Sequence, residues 1–339
     1  MKLTAIALAV ASSSALRASS GCGKENTNPT GALFHHAPLT VATGELEATR
    51  KFVEFIPDGY RASTPMPLMV WLHGQYGKAI DEARQMDFQR YPLVQLYPQG
   101  LDDNADANCG TGWDVGPSAH DASTCTAAAY SGTCCYASCR ALGDCAGDGA
   151  AASCGWATCH DDAAFLEAML AAVGAELCVD LDAVFLSGGS NGGMMTHYGY
   201  RALPAAWRAV MPVYGLPLVG YGGATAANNR TAILALHDRS DEVIPPDGGD
   251  GGGWLYESND AVLGAWAAVH GCDGAPTSVR TAFDGGQKNL ACVEWLGCVS
   301  PGAEHRVMKC LYDGGHGSWP QQGEALAWWF FNQSRAEYS

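Results

Sequence analysis

Gly188-Gly189-Ser190-Asn191-Gly192 is the stretch that decides the fold. It follows the apolar run Ala183-Val184-Phe185-Leu186 and precedes Gly193-Met194-Met195-Thr196-His197-Tyr198, which reads as the start of a helix. A G-x-S-x-G between a strand and a helix is a sharp turn that projects a serine hydroxyl from the end of a sheet. The glycines are needed because the turn is strained and its flanks pack with no side chain in the way. In a chain with 42 glycines the pentapeptide alone is weak. Its flanks, and two later segments in a fixed order, make it strong.

Working outward, strands are expected at Arg50–Phe55, Leu68–Leu72, Leu93–Tyr97, Ala183–Leu186, Ala209–Val213, Ile233–Leu236 and His305–Leu311. Several are continuous apolar runs, the pattern of strands covered on both faces. Helices fit Asp161–Leu177, Gly193–Leu203, Ser258–His270 and Gly323–Ser334. This alternation predicts an α/β fold with a mostly parallel, doubly wound sheet. No internal repeat or linker divides the 339 residues, a length that one large core accommodates.

A hydrolytic serine needs a base, an orienting acid and donors for an oxyanion. In the Ser-acid-His chain order the histidine comes last, on a loop after the final strand. Asp313-Gly314-Gly315-His316-Gly317-Ser318-Trp319-Pro320 fits, and its glycines leave room for the His316 imidazole to reach Ser190. The acid belongs on the loop after the preceding strand, where His237-Asp238-Arg239-Ser240-Asp241-Glu242 offers Asp238, Asp241 and Glu242. Asp241 is preferred because it lies a few residues beyond the strand, while Asp238 suits the strand end or a pairing with Arg239. The backbone amides of Asn191 and of Gln75, just after Leu72-His73-Gly74, are the expected oxyanion donors, with His73 a hydrogen-bonding strand cap.

Composition sets limits. Charged residues are 16% and hydrophobic ones 47%, as in a globular chain. A net charge of −16 argues against nucleic acid or an anionic membrane as partner. Residues 1–18 read as an export signal, with Lys2, a short apolar stretch from Leu3 to Ala11, and cleavage near Ala11, Ala15 or Ala18. The mature domain would be 19–339. Fourteen cysteines suit an oxidising compartment, and the Asn229 and Asn332 sequons permit glycosylation. Eight cysteines fall between Cys109 and Cys159, in a Gly-, Ala-, Ser- and Asp-rich stretch. Residues 103–160 are thus expected to form a disulfide-held insertion able to roof the site. Zinc is disfavoured there, since Cys134-Cys135 are adjacent and no C-x-x-C pair repeats. The acidic run Asp102, Asp103, Asp106 lacks the spacing of a calcium loop.

The chain resembles the secreted family that joins feruloyl esterases to poly(3-hydroxybutyrate) depolymerases, within the α/β-hydrolases. The matching stretches are Leu72-His73-Gly74, Tyr97-Pro98-Gln99-Gly100, Asp161-Asp162, Leu177-Cys178-Val179-Asp180, Ser187 to Met195, His237 to Pro246 and Gly314 to Pro320. Ser19-Ser20-Gly21-Cys22-Gly23-Lys24 resembles the mature start of the fungal feruloyl esterases. The resemblance implies an α/β-hydrolase without cofactor, whose triad is Ser190, Asp241 and His316. It implies a serine carboxylesterase acting on feruloyl-polysaccharide esters, with polyhydroxyalkanoate or acetylated xylan as alternative substrates. A non-catalytic cysteine-rich binding protein on the same scaffold is the alternative of another class. Trp113, Trp254, Tyr256 and Trp319 are candidate walls for an aromatic acyl group or sugar, with Trp319 adjoining His316.

Overall fold

The computed structural model describes residues 17–103, 110–116, 124, 136–142, 158–299 and 307–335. Its strands, in chain order, are β1 (Leu33–His35), β2 (Leu39–Thr43), β3 (Leu46–Arg50), β4 (Phe52–Phe55), β5 (Met66–Leu72), β6 (Val94–Pro98) and β7 (Val179–Gly189). They continue as β8 (Ala209–Val213), β9 (Ala232–Asp238), β10 (Gly249–Gly251), β11 (Trp254–Tyr256), β12 (Thr277–Val279), β13 (Ala291–Trp295) and β14 (Val307–Tyr312). The α-helices are α1 (Ala79–Gln85), α2 (Ala137–Ala141), α3 (Asp162–Glu176), α4 (Asn191–Ala202), α5 (Asn259–His270) and α6 (Gly323–Gln333).

Ten strands form one sheet in the order β1-β4-β6-β5-β7-β8-β9-β14-β13-β12. From β6 to β14 neighbours run parallel, and antiparallel strands finish both edges. This is the expected doubly wound sheet. β5 shows why its run is continuously apolar. Leu68, Val70 and Leu72 face one core, with Phe165 of α3, Met194 of α4 and Trp266 of α5. Met69 and Trp71 face the other, with Ala83 of α1 and Phe330 and Phe331 of α6. Side chains alternate across the pleat, so a strand buried on both faces needs apolar residues at every position.

Chain order places a site. β5 is flanked by β6 on one side and β7 on the other, so the winding reverses there. Ligands of open α/β sheets sit at the carboxyl ends of the strands at such a switch point. Ser190 follows β7 and His73-Gly74 follow β5, so both motifs arrive at that place.

Disulfides tie the periphery to this scaffold. Cys22 pairs with Cys178, joining residues near the N-terminus to the turn that feeds β7. Ser19 reinforces that seam, its hydroxyl donating to the Leu177 carbonyl at 2.6 Å and accepting from the Val179 amide at 2.8 Å. Cys272 pairs with Cys298 and Cys292 with Cys310, the latter across β13 and β14. Within the cysteine-rich segment Cys139 of α2 pairs with Cys159. Cys109, Cys125, Cys134, Cys135, Cys145 and Cys154 lie outside the described residues, as do residues 1–16 and most of the expected roof. No helix among the described residues is long and apolar enough to cross a membrane.

Candidate active site

Ser190 sits between β7 and α4 with φ 56° and ψ −121°, a backbone conformation that a non-glycine residue adopts only under constraint. The constraint is close packing. A Cβ on Gly192 would lie 2.2 Å from the Leu72 carbonyl oxygen, and one on Gly188 would lie 2.7 Å from the Gly192 carbonyl carbon. With glycine at both positions the end of β7, the end of β5 and the first turn of α4 come into contact. The Ser190 amide donates to the Val213 carbonyl at 3.0 Å and fixes the turn to β8. Helix α4 begins two residues earlier than the sequence suggests, at Asn191. Its first amides point out of the helix with no acceptor inside it.

His316 lies on the loop between β14 and α6, and its Nε2 is 2.8 Å from Ser190 Oγ. Its Nδ1 is 2.8 Å from Asp241 Oδ2. A carboxylate only accepts, so Nδ1 carries the proton and the Nε2 lone pair faces the serine hydroxyl. Asp241 Oδ1 accepts from the amides of Val243 and Ile244, both at 2.9 Å. Burial pushes the Asp241 carboxyl up, but bonds from His237, His316 and the Ile244 amide outweigh it and hold the group well below the usual carboxylate range. The carboxylate is therefore ionised wherever an imidazole base works.

The rival acids are elsewhere. Asp238 closes β9, as its position suggests, and its Oδ1 accepts from the amide and hydroxyl of Ser240, both at 2.7 Å. Arg239 pairs with Asp313 at 2.8 Å, not with Asp238. Glu242 is exposed.

The loop after β5 is held from below. His73 is buried; its Nδ1–H donates to the Gly74 carbonyl at 2.7 Å and its Nε2 accepts from the Gly100 amide at 2.9 Å. Burial, aided by the charge of Arg50, pushes its pKa down to about 4, so the ring is a neutral brace. Gly74 presses against the serine, since a Cβ there would sit 3.3 Å from Ser190 Cβ. Gln75, next along the loop, turns its side-chain oxygen towards Gly112, where an added Cβ would meet it at 2.4 Å.

Trp113 corrects an expectation. The indole is fully buried, its Nε1 donates to the His73 carbonyl at 2.8 Å, and its ring packs 4.8 Å from the His73 ring. The Trp113 amide donates to Asn191 Oδ1 at 2.7 Å. The residue therefore ties the loop after β5 to the start of α4 and offers no open face for a substrate. Its neighbour Asp114 donates its amide to Asp162, which is itself ion-paired to the buried Arg50 at 2.5 Å. Tyr256 is likewise buried. Trp319 is half-buried and edge-on to Trp71, ring centres 5.4 Å apart, and Trp254 is half-buried on β11. A sequence names an aromatic residue but not which way its ring turns.

Two aromatics went unanticipated. Tyr214, at φ 34°, sets its ring edge-on to the His316 ring with centres 5.4 Å apart. Tyr76, at φ 63°, is 62% exposed on the loop after β5, with its ring against Gly110. Both hold positive φ, a feature no propensity scale assigns to tyrosine.

No family model matches the chain. Among curated proteins it is 28% identical to feruloyl esterase C of Emericella nidulans over 319 residues, covering 92% of this chain and 90% of that protein. It is 27% identical to a probable feruloyl esterase C of Aspergillus terreus over 335 residues, covering 97% and 96% respectively. Among solved structures, native sOPH superposes with a TM-score of 0.50 at 17% identity, over 93% of this chain and 89% of that one. The last likeness concerns the fold.

Proposed function

We propose, from the premise that this chain is an α/β-hydrolase esterase homologous to feruloyl esterase C, that Ser190, His316 and Asp241 are its catalytic triad. The observation that carries this is the unbroken line of two 2.8 Å contacts from Ser190 Oγ through His316 to Asp241. Ser190 Oγ attacks the ester carbonyl as His316 Nε2 takes its proton, and Asp241 stabilises the imidazolium. The Asn191 and Gln75 amides hold the oxyanion, one at the start of α4 and one on the glycine-bearing loop facing it. His316 returns the proton to the departing alcohol. It then deprotonates a water that attacks the acyl group on Ser190, and the carboxylic acid leaves.

The substrate class follows from the relatives' names and from Tyr76. A hydroxycinnamoyl group is flat and aromatic, and Tyr76 places an aromatic residue next in sequence to Gln75, the proposed oxyanion donor. We assign the native substrate as a feruloyl ester linked to a polysaccharide. Export is part of the same proposal, supported by Lys2 and the apolar stretch after it and by disulfides that suit an oxidising compartment. The test is turnover of methyl ferulate, acetylated xylan and a hydroxybutyrate oligomer measured side by side. Methyl ferulate should have the highest kcat/KM. Preference for either of the others would move the chain to that substrate class, and no turnover of any would leave a binding protein.

A further inference from the structure

Behind the carboxylate of the triad lies a second histidine with a complete set of partners. His237, on β9, is buried, and its Nε2 is 2.8 Å from the Ile244 carbonyl oxygen and 3.3 Å from Asp241 Oδ2. Its Nδ1 is 3.2 Å from Nδ2 of Asn259, the first residue of α5. Asn259 Nδ2 is also 3.2 Å from the Pro246 carbonyl oxygen.

These contacts determine one another. The Pro246 carbonyl can only accept, so the amide of Asn259 must present its NH2 on that side. An NH2 has two hydrogens, and the second faces His237 Nδ1, which must then be the unprotonated nitrogen. The proton therefore lies on Nε2, between two oxygens that can only accept it. In the opposite tautomer, lone pair would face oxygen at one end and N–H would face N–H at the other.

Resting on the triad assignment above, we infer that His237 and Asn259 are positioning residues that aim the Asp241 carboxylate at His316. The His237 Nε2–H bridges both ends of the acid loop, because Ile244 also gives its amide to Asp241 Oδ1. The carboxylate thus has donors on both oxygens, and its orientation does not depend on His316 alone. Of the other titratable groups around this pair, one histidine and three tyrosines are uncharged. His197 of α4 donates to the Gly215 carbonyl, and burial, with His237 nearby, pushes it down to about 3. Burial raises the hydroxyls of Tyr214, Tyr256 and Tyr312 above their usual range. Asp238 spends its Oδ1 on Ser240.

Replacing His237 tests the idea. In His237→Phe the carboxylate loses a donor and draws the imidazolium proton more strongly. The acidic limb of the kcat/KM profile should then move up by about half a pH unit. The specificity constant should fall about tenfold, carried in kcat, the scale of one charge-assisted hydrogen bond. His237→Gln puts an amide N–H close to where Nε2 lies and should restore the midpoint and most of the loss. Equal losses in both variants with an unmoved midpoint would show a merely structural histidine and overturn the inference. If His237→Phe does not fold, Asn259→Leu is measured the same way, with the same expected shift and the same contrary result. The tautomer can also be read directly by nitrogen NMR of the resting protein. A protonated Nε2 and bare Nδ1 are expected on His237, and the reverse would overturn the assignment even if the triad stands. Loss of all turnover in Ser190→Ala tests the triad separately.

Discussion

At the residue scale, each role rests on a specific neighbour, and each neighbour predicts a cost. Asp241→Asn removes the charge that faces His316 and should lower kcat by on the order of 10³- to 10⁴-fold. Asp238→Asn should cost far less, because its contacts end on Ser240; reversed magnitudes would reassign the acid. Trp113→Ala empties a fully buried site and cuts the tie between the loop after β5 and α4. It should destabilise the protein by about 3–5 kcal/mol, read in urea melts, and reduce hydrolysis of methyl ferulate and p-nitrophenyl acetate alike. A loss confined to methyl ferulate would restore Trp113 as an acyl wall.

At the element scale, what the sequence discloses depends on burial. β5, β8 and β9 are apolar at nearly every position because helices cover both faces of the sheet, so their runs are visible without a structure. The loops after β5, β7, β9 and β14 carry their motifs in chain order, so the residues of the proposed triad can be picked out from the sequence too. The hairpin of β2 and β3 alternates half-buried and exposed residues, and β12 has three residues, so neither stands out from a loop. The helix α1 is seven residues long with two buried alanines, too weak a stripe to detect. Pairing of cysteines and the His237–Asn259 contact are long-range, and no local pattern encodes them. The Cys272–Cys298 bond joins the end of α5 to the chain after β13, at the end of the sheet away from Ser190. Replacing both by serine frees a 26-residue separation and should cost about 3 kcal/mol of stability while leaving kcat for methyl ferulate intact. A kcat that falls with the stability would mean this edge supports the site.

At the scale of the whole molecule, stability and activity respond to pH through different groups. Glu54 on β4 is 1% exposed, and burial, with the charge of Glu176, raises its carboxyl from 4.5 to about 8. The folded chain thus keeps a proton that the unfolded chain releases above 4.5. The resulting stabilisation is full below that pH and is lost as pH rises towards 8. Wild-type Tm should therefore fall between pH 5 and pH 8 by more than that of Glu54→Gln; parallel curves would show that Glu54 ionises in the fold. Activity depends instead on the line from Ser190 to Asp241, which is the central claim. It is tested most directly by treating the protein with an aryl fluorophosphonate and mapping the adduct by peptide mass spectrometry while following methyl ferulate hydrolysis. A single adduct on Ser190 is expected, with activity lost in proportion to labelling and no labelling in Ser190→Ala. An adduct on another residue, or full hydrolysis by a protein labelled at Ser190, would contradict it.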